Sequence, residues 1–183
     1  NIVNESKTDL DIMWGHHIAF GLPFLEKGAQ IECNAKKIIS EQTMPDNRRF
    51  KPGVETDWPS AINLNDQKEN ASIIPAESEF PYSELSYLSG FGEKGNYSII
   101  DSDRNLGFHL SWDANIFKYL WYWQERYSTQ DAPWWGNTYA IALEPWTSRW
   151  TPDPKQAINN GEWLSIPKDG TISTKLSASA IIP

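Results

Sequence analysis

The sequence predicts a mainly β fold of antiparallel strands. Three observations lead there: apolar and aromatic residues recur at every second position in several stretches, helix-type periodicity is scarce, and 13% of the 183 residues are aromatic, ten of them tryptophan. Alternation at period two sends successive side chains to opposite faces of a strand, and large rings pack well on a pleated surface.

Taken in chain order, Asp11 to Trp14 and Gln30 to Asn34 read as short strands. From Met44 to Pro81 the chain carries Pro45, Pro52, Pro59, Pro75 and Pro81 among many Asn and Asp residues, with no sustained period. That stretch is expected to be mostly loop, of a length that usually covers a site. Tyr97 to Asp101 is the next strand. Leu106, Phe108, Leu110 and Trp112 then alternate with Gly107, His109 and Ser111. Beyond Asp113 and Asn115, which suit a turn, Phe117, Tyr119, Trp121 and Trp123 share one face, with Lys118, Leu120, Tyr122 and Gln124 on the other. These two runs are expected to be neighbouring antiparallel strands joined near Trp112 to Asn115. A helix over Phe117 to Tyr127 is the competing reading, and the aromatic density favours the sheet. Tyr139 to Leu143, bounded by Gly136 and Asn137 before it and Pro145 after it, reads as a buried strand ending at Glu144. Thr171 to Ala178 is the last expected strand.

The length fits one domain over residues 1–183. A net charge of −8 would repel a nucleic-acid backbone or an anionic membrane, so no nucleic-acid partner is expected. No apolar run approaches the roughly 18 residues a spanning helix needs, so no membrane partner is expected either. The lone Cys33 supplies neither an internal disulfide nor a thiolate metal site; it reads as a small buried residue, and a cytoplasmic setting is the default. The first residue is Asn rather than Met, which suggests a chain shortened on its N-terminal side.

Chemistry concentrates in two places. Met13 to Gly21 holds His16 and His17. In an extended segment these neighbours face opposite sides, so they cannot easily ligate one metal, and no metal site is expected. Either one is a satisfied core residue and the other solvated, or one of them serves as a general acid, because an imidazole gives up or holds a proton near neutrality. The other place is Glu144, at the rim of a buried strand where burial would raise its pKa towards the range of a useful base. Its structural alternative is an ordinary acid paired with Arg149. Arg48, Arg49 and Arg104 are candidates for a phosphate, and His109 for a solvated strand residue. Seven tryptophans lie between Trp112 and Trp150, and they fit a ring-filled core, a stacking surface for sugars, or both. Phosphate-loop, serine-elbow and zinc-helix motifs are absent.

Together, His17-Ile18-Ala19-Phe20-Gly21, the aromatic strands around Trp112 to Trp123, and Tyr139-Ala140-Ile141-Ala142-Leu143-Glu144-Pro145-Trp146-Thr147-Ser148 resemble the C-terminal half of the galactose mutarotase-like family, which includes the aldose 1-epimerases. The resemblance implies an all-β antiparallel supersandwich with a sugar site and no cofactor. It implies His17 as general acid and Glu144 as general base, with His16, Trp112, Asp113 and Trp146 as substrate contacts; Asp101 is the other candidate for a substrate-binding Asp. The ligand it implies is a monosaccharide or a sugar phosphate. The activity expected is interconversion of hexose anomers, with a non-catalytic carbohydrate-binding protein or a hexose 6-phosphate epimerase as alternatives.

Overall fold

The computed structural model describes residues 1–43, 46–77, 81–101, 103 and 106–182. The architecture is nearly all β. A six-stranded sheet runs in the order Ala19–Gly21, Tyr139–Trp146, Tyr119–Arg126, Tyr82–Ser89, Lys37–Ser40 and Glu55–Asp57. A five-stranded sheet runs Leu176–Ile181, Gly107–Asp113, Lys94–Asp101, Ala29–Cys33 and Ile73–Ile74. Every pairing in both is antiparallel. Among the described residues there is one short helix, Pro154–Asn159, capped by Asp153, whose side chain accepts a hydrogen bond from the Gln156 amide. No helix among the described residues is long and apolar enough to cross a membrane.

Period two dictates what faces what. On Tyr119–Arg126, Leu120, Tyr122, Gln124 and Arg126 are buried while Tyr119, Trp121 and Trp123 remain part-exposed. Leu120 and Tyr122 join Tyr97, Ile99, Leu110 and Trp112 of the five-stranded sheet in one continuous core. The Tyr97 hydroxyl donates across the sandwich to the Leu143 carbonyl at 3.3 Å. Fully burying one apolar side chain contributes about 1.5–3 kcal/mol, and the large rings are the main contributors here.

The strand Tyr82–Ser89 is absent from the sequence reading because its buried face is polar. Glu84 is wholly buried, and its carboxyl accepts from the hydroxyls of Ser40 and Ser86 and from the backbone amides of Arg49 and Phe50, at 2.7 to 3.2 Å. Burial pushes its pKa up against those hydrogen bonds. Lys37–Ser40 and Ala19–Gly21 were likewise not expected.

Two expectations need correction and a third needs refinement. Gly107–Asp113 and Tyr119–Arg126 are not neighbours but belong to different sheets. The turn between them crosses the core: Phe117 is wholly buried, and the Trp112 indole donates to its carbonyl at 3.0 Å. Among its described residues the stretch from Met44 to Pro81 is mostly loop, as expected, but it also carries four short strands, Glu55–Asp57, Ser60–Ile62, Lys68–Asn70 and Ile73–Ile74, too brief to show a period. Thr171 to Ala178 is broken into Thr171–Ile172, paired with Ile2–Val3, and Leu176–Ile181 on the edge of the five-stranded sheet.

Candidate functional site

The outer face of the six-stranded sheet carries an aromatic pocket. Register fixes its floor, because Trp121 lies opposite Glu144 on one side and Tyr87 on the other, and Trp123 lies opposite Ala142 and Leu85. The segment from Trp14 to Ile18 continues the edge pairing past Ala19–Gly21, with the His16 amide donating to the Pro145 carbonyl and the Leu143 amide to the Ile18 carbonyl, both at 3.0 Å. His17 is thereby set beside Glu144. The resulting cavity of about 340 Å³ is walled by His17, Trp121, Trp123, Trp134, Glu144 and Trp146, with Ser83, Leu85, Glu125 and Thr129 completing it.

Glu144 is 3% exposed, whereas the His17 side chain is 62% exposed, with Nε2 3.3 Å from Glu144 Oε1. The other carboxyl oxygen, Oε2, accepts from the Trp146 indole at 2.8 Å. Burial raises the Glu144 pKa above the ordinary carboxylate value, while the Trp146 hydrogen bond and the His17 charge pull against it. The Trp146 ring stacks on Trp121, centroids 4.7 Å apart at 23°, and lies over Gly15, where a Cβ would run into it. Trp123 meets His17 edge-on and Trp134 at a tilt. These packed rings fix the donor–acceptor pair on a rigid support.

Glu125 is a wall residue that sequence reasoning missed. It is 2% exposed, accepts from the Ser83 and Thr129 hydroxyls at 2.6 Å each, and accepts from the Ser128 and Thr129 amides at 2.8 and 3.0 Å. Those bonds anchor the loop that carries Trp134 into the pocket. The signal was present in the sequence, since Glu125 continues the every-second-residue series through Trp121 and Trp123.

The structure brings His17, Glu144 and Trp146 together and sends the other expected contacts elsewhere. His16 faces away, its ring edge-on to Phe117 at 5.2 Å and tilted to Trp14. Trp112 is 1% exposed in the core, wedged where Gly95 leaves room for its ring. Asp113 accepts from the Asn115 amide and side chain in a turn beside the five-stranded sheet. Asp101 is buried on that same sheet. Arg149 does not pair with Glu144; its guanidinium lies over the Tyr87 and Tyr119 rings. Arg49 is held by Glu69, Gln124 and the Ile73 carbonyl, and Arg48 donates to the Glu41 carbonyl, so neither lines the pocket. Arg104 lies outside the described residues. His109 meets Ser98 across the strands, and burial pushes the Cys33 thiol up to about 12. Among the described residues, no three His, Cys, Asp or Glu side chains gather as metal ligands would.

A family model for a domain of unknown function, DUF4432, matches residues 1–180. The chain belongs to the DUF4432 family. No curated protein matches it. Three solved structures share the fold of this DUF4432 chain. A candidate aldose 1-epimerase from Klebsiella pneumoniae subsp. pneumoniae is 12% identical with a TM-score of 0.64, over 98% of this chain and 41% of its own. The Slr1438 protein from Synechocystis is 15% identical with a TM-score of 0.61, over 99% and 48%. A galactose mutarotase-like protein from Clostridium acetobutylicum is 20% identical with a TM-score of 0.57, over 98% and 51%. The DUF4432 chain thus has a galactose mutarotase-like fold and spans between 41% and 51% of the length of these relatives in structure.

Proposed function

We propose that this DUF4432 protein interconverts the anomers of a pyranose sugar by acid/base ring opening. The observation that carries the reading is the contact between a buried carboxyl and an imidazole inside an aromatic pocket, on a fold shared with a candidate aldose 1-epimerase. The anomeric hydroxyl and the ring oxygen of a pyranose are bonded to the same carbon, so the groups that serve them should be near neighbours. A carboxylate and an imidazole 3.3 Å apart meet that demand.

In the forward direction Glu144 takes the proton from the anomeric hydroxyl as the carbonyl forms at C1. The bond between C1 and the ring oxygen breaks, and protonated His17 delivers a proton to that oxygen. Rotation about the C1–C2 bond presents the opposite face of the aldehyde. Reclosure then returns the first proton from the Glu144 carboxyl to the new hydroxyl and the second to the His17 imidazole. Burial makes Glu144 a stronger base than an exposed carboxylate, and exposure lets His17 exchange protons with solvent. Trp121, Trp123, Trp134 and Trp146 offer apolar faces to the C–H side of the ring.

Polarimetry of freshly dissolved α-glucose and α-galactose with the full-length protein tests this reading, alongside titration of intrinsic tryptophan fluorescence. Catalysed mutarotation is expected. Sugar-induced quenching without any acceleration would replace the enzyme with a carbohydrate-binding protein.

A further inference from the structure

A second cavity of about 350 Å³ opens on the same outer face, walled by Glu41, Tyr87, Arg149, Trp150 and Glu162. Tyr87 and Trp121 stand directly opposite on adjacent strands, ring centroids 5.6 Å apart, so one pair of rings separates this cavity from the aromatic pocket. Glu144, Trp121 and Tyr87 form a row across three strands. Two strand spacings put Tyr87 ~10 Å from Glu144, a span that exceeds one pyranose and suits two joined rings.

Arg149 is the notable group here. Its guanidinium is held 5.9 Å over the Tyr87 ring and 5.8 Å over the Tyr119 ring, and it makes no ion pair or hydrogen bond among the described residues. Stacking of this kind fixes the plane of the group and leaves its N–H edge free to donate. Glu41 brings an acceptor. Burial opposes its ionisation, but hydrogen bonds from the Tyr87 hydroxyl at 2.7 Å and from the Thr43 amide and hydroxyl at 3.0 Å prevail and keep its carboxyl below the ordinary range. One free cationic donor, two carboxylates and two aromatic faces fit the hydroxyls of a neutral sugar; the two carboxylates oppose a phosphate.

We propose that this cavity is a second subsite, taking a further neutral glycosyl unit of a reducing disaccharide or longer sugar whose terminal ring occupies the His17–Glu144 pocket. The inference rests on the sugar reading of that pocket. The test is binding to the full-length protein, followed by tryptophan fluorescence or calorimetry, for maltose, cellobiose and lactose beside glucose and galactose. At least one disaccharide should bind about 10-fold more tightly than its monosaccharide, the equivalent of ~1.4 kcal/mol. Arg149→Gln should remove that gain while monosaccharide binding stays within about twofold. Disaccharides that bind no better than monosaccharides, or a gain that survives in the variant, would overturn the proposal. Inorganic phosphate that competes with sugar in the parent but not in Arg149→Gln would overturn it too, by assigning the arginine to an anion. Because binding is read directly, an Arg149-dependent gain without mutarotation would keep the subsite and discard the catalytic reading.

Discussion

Replacing Glu144 by Gln separates what this carboxyl does for chemistry from what it does for the fold. The side chain is nearly isosteric, and its amide oxygen still accepts from the Trp146 indole now 2.8 Å from Oε2, while its amide group faces His17. Only the charge and the ability to take a proton disappear. Loss of a general base costs about 10²–10⁴-fold in rate. Stability moves the other way. Because burial raises the folded pKa of Glu144 above its unfolded value, the folded state binds the proton more tightly. The native protein therefore loses stability as pH rises from the ordinary carboxylate value through the raised one, and above that window the loss is complete. Each unit of raised pKa corresponds to about 1.4 kcal/mol. The variant escapes this penalty, and every ~1 kcal/mol regained moves Tm by about 2–4 °C in a chain of this size. Polarimetry should find mutarotation lost, while differential scanning calorimetry at pH 7 finds Tm equal or higher, with a flatter slope as pH rises past the ordinary carboxylate value. A parental rate would remove Glu144 as base. A Tm lowered at pH 7 would show that the charged carboxyl stabilises the fold and would refute the electrostatic argument.

Other side chains divide the same way. His17→Gln should lower mutarotation by about 10²-fold or more with Tm almost unchanged, since this side chain is largely exposed; polarimetry and thermal melts read the two effects. Gly15→Ala should displace the Trp146 ring and cost about 1–3 kcal/mol by overpacking, visible as lower stability in urea and an altered near-UV spectrum. Glu125→Gln leaves some of the four donors on this carboxyl without an acceptor, costing about 1–3 kcal/mol. With Trp134 less firmly held, KM should rise more than kcat falls. Trp112→Phe should destabilise by about 1–3 kcal/mol, orphaning the Phe117 carbonyl, yet leave sugar-induced fluorescence quenching intact.

The sequence by itself determined the β character, several of the strands and the two residues, His17 and Glu144, that meet in the pocket, because period-two aromatic runs and a carboxyl at the end of an apolar strand are local signals. It also placed His16 and His17 on opposite sides of an extended segment, and His17 alone faces Glu144. The stretch Tyr82–Ser89 escaped because Glu84 and Ser86 interrupt the apolar period; Ser86 donates to Glu84, whose remaining donors come from distant Ser40, Arg49 and Phe50. Which tryptophans line the pocket was decided by tertiary structure. Trp112 and Trp121 occupy equivalent alternating patterns, but the chain crosses from one sheet to the other at Phe117, so the first ring is sealed in the core and the second lies in the pocket. A local period reveals that a strand has two faces; only packing of sheet against sheet selects the one that solvent can reach.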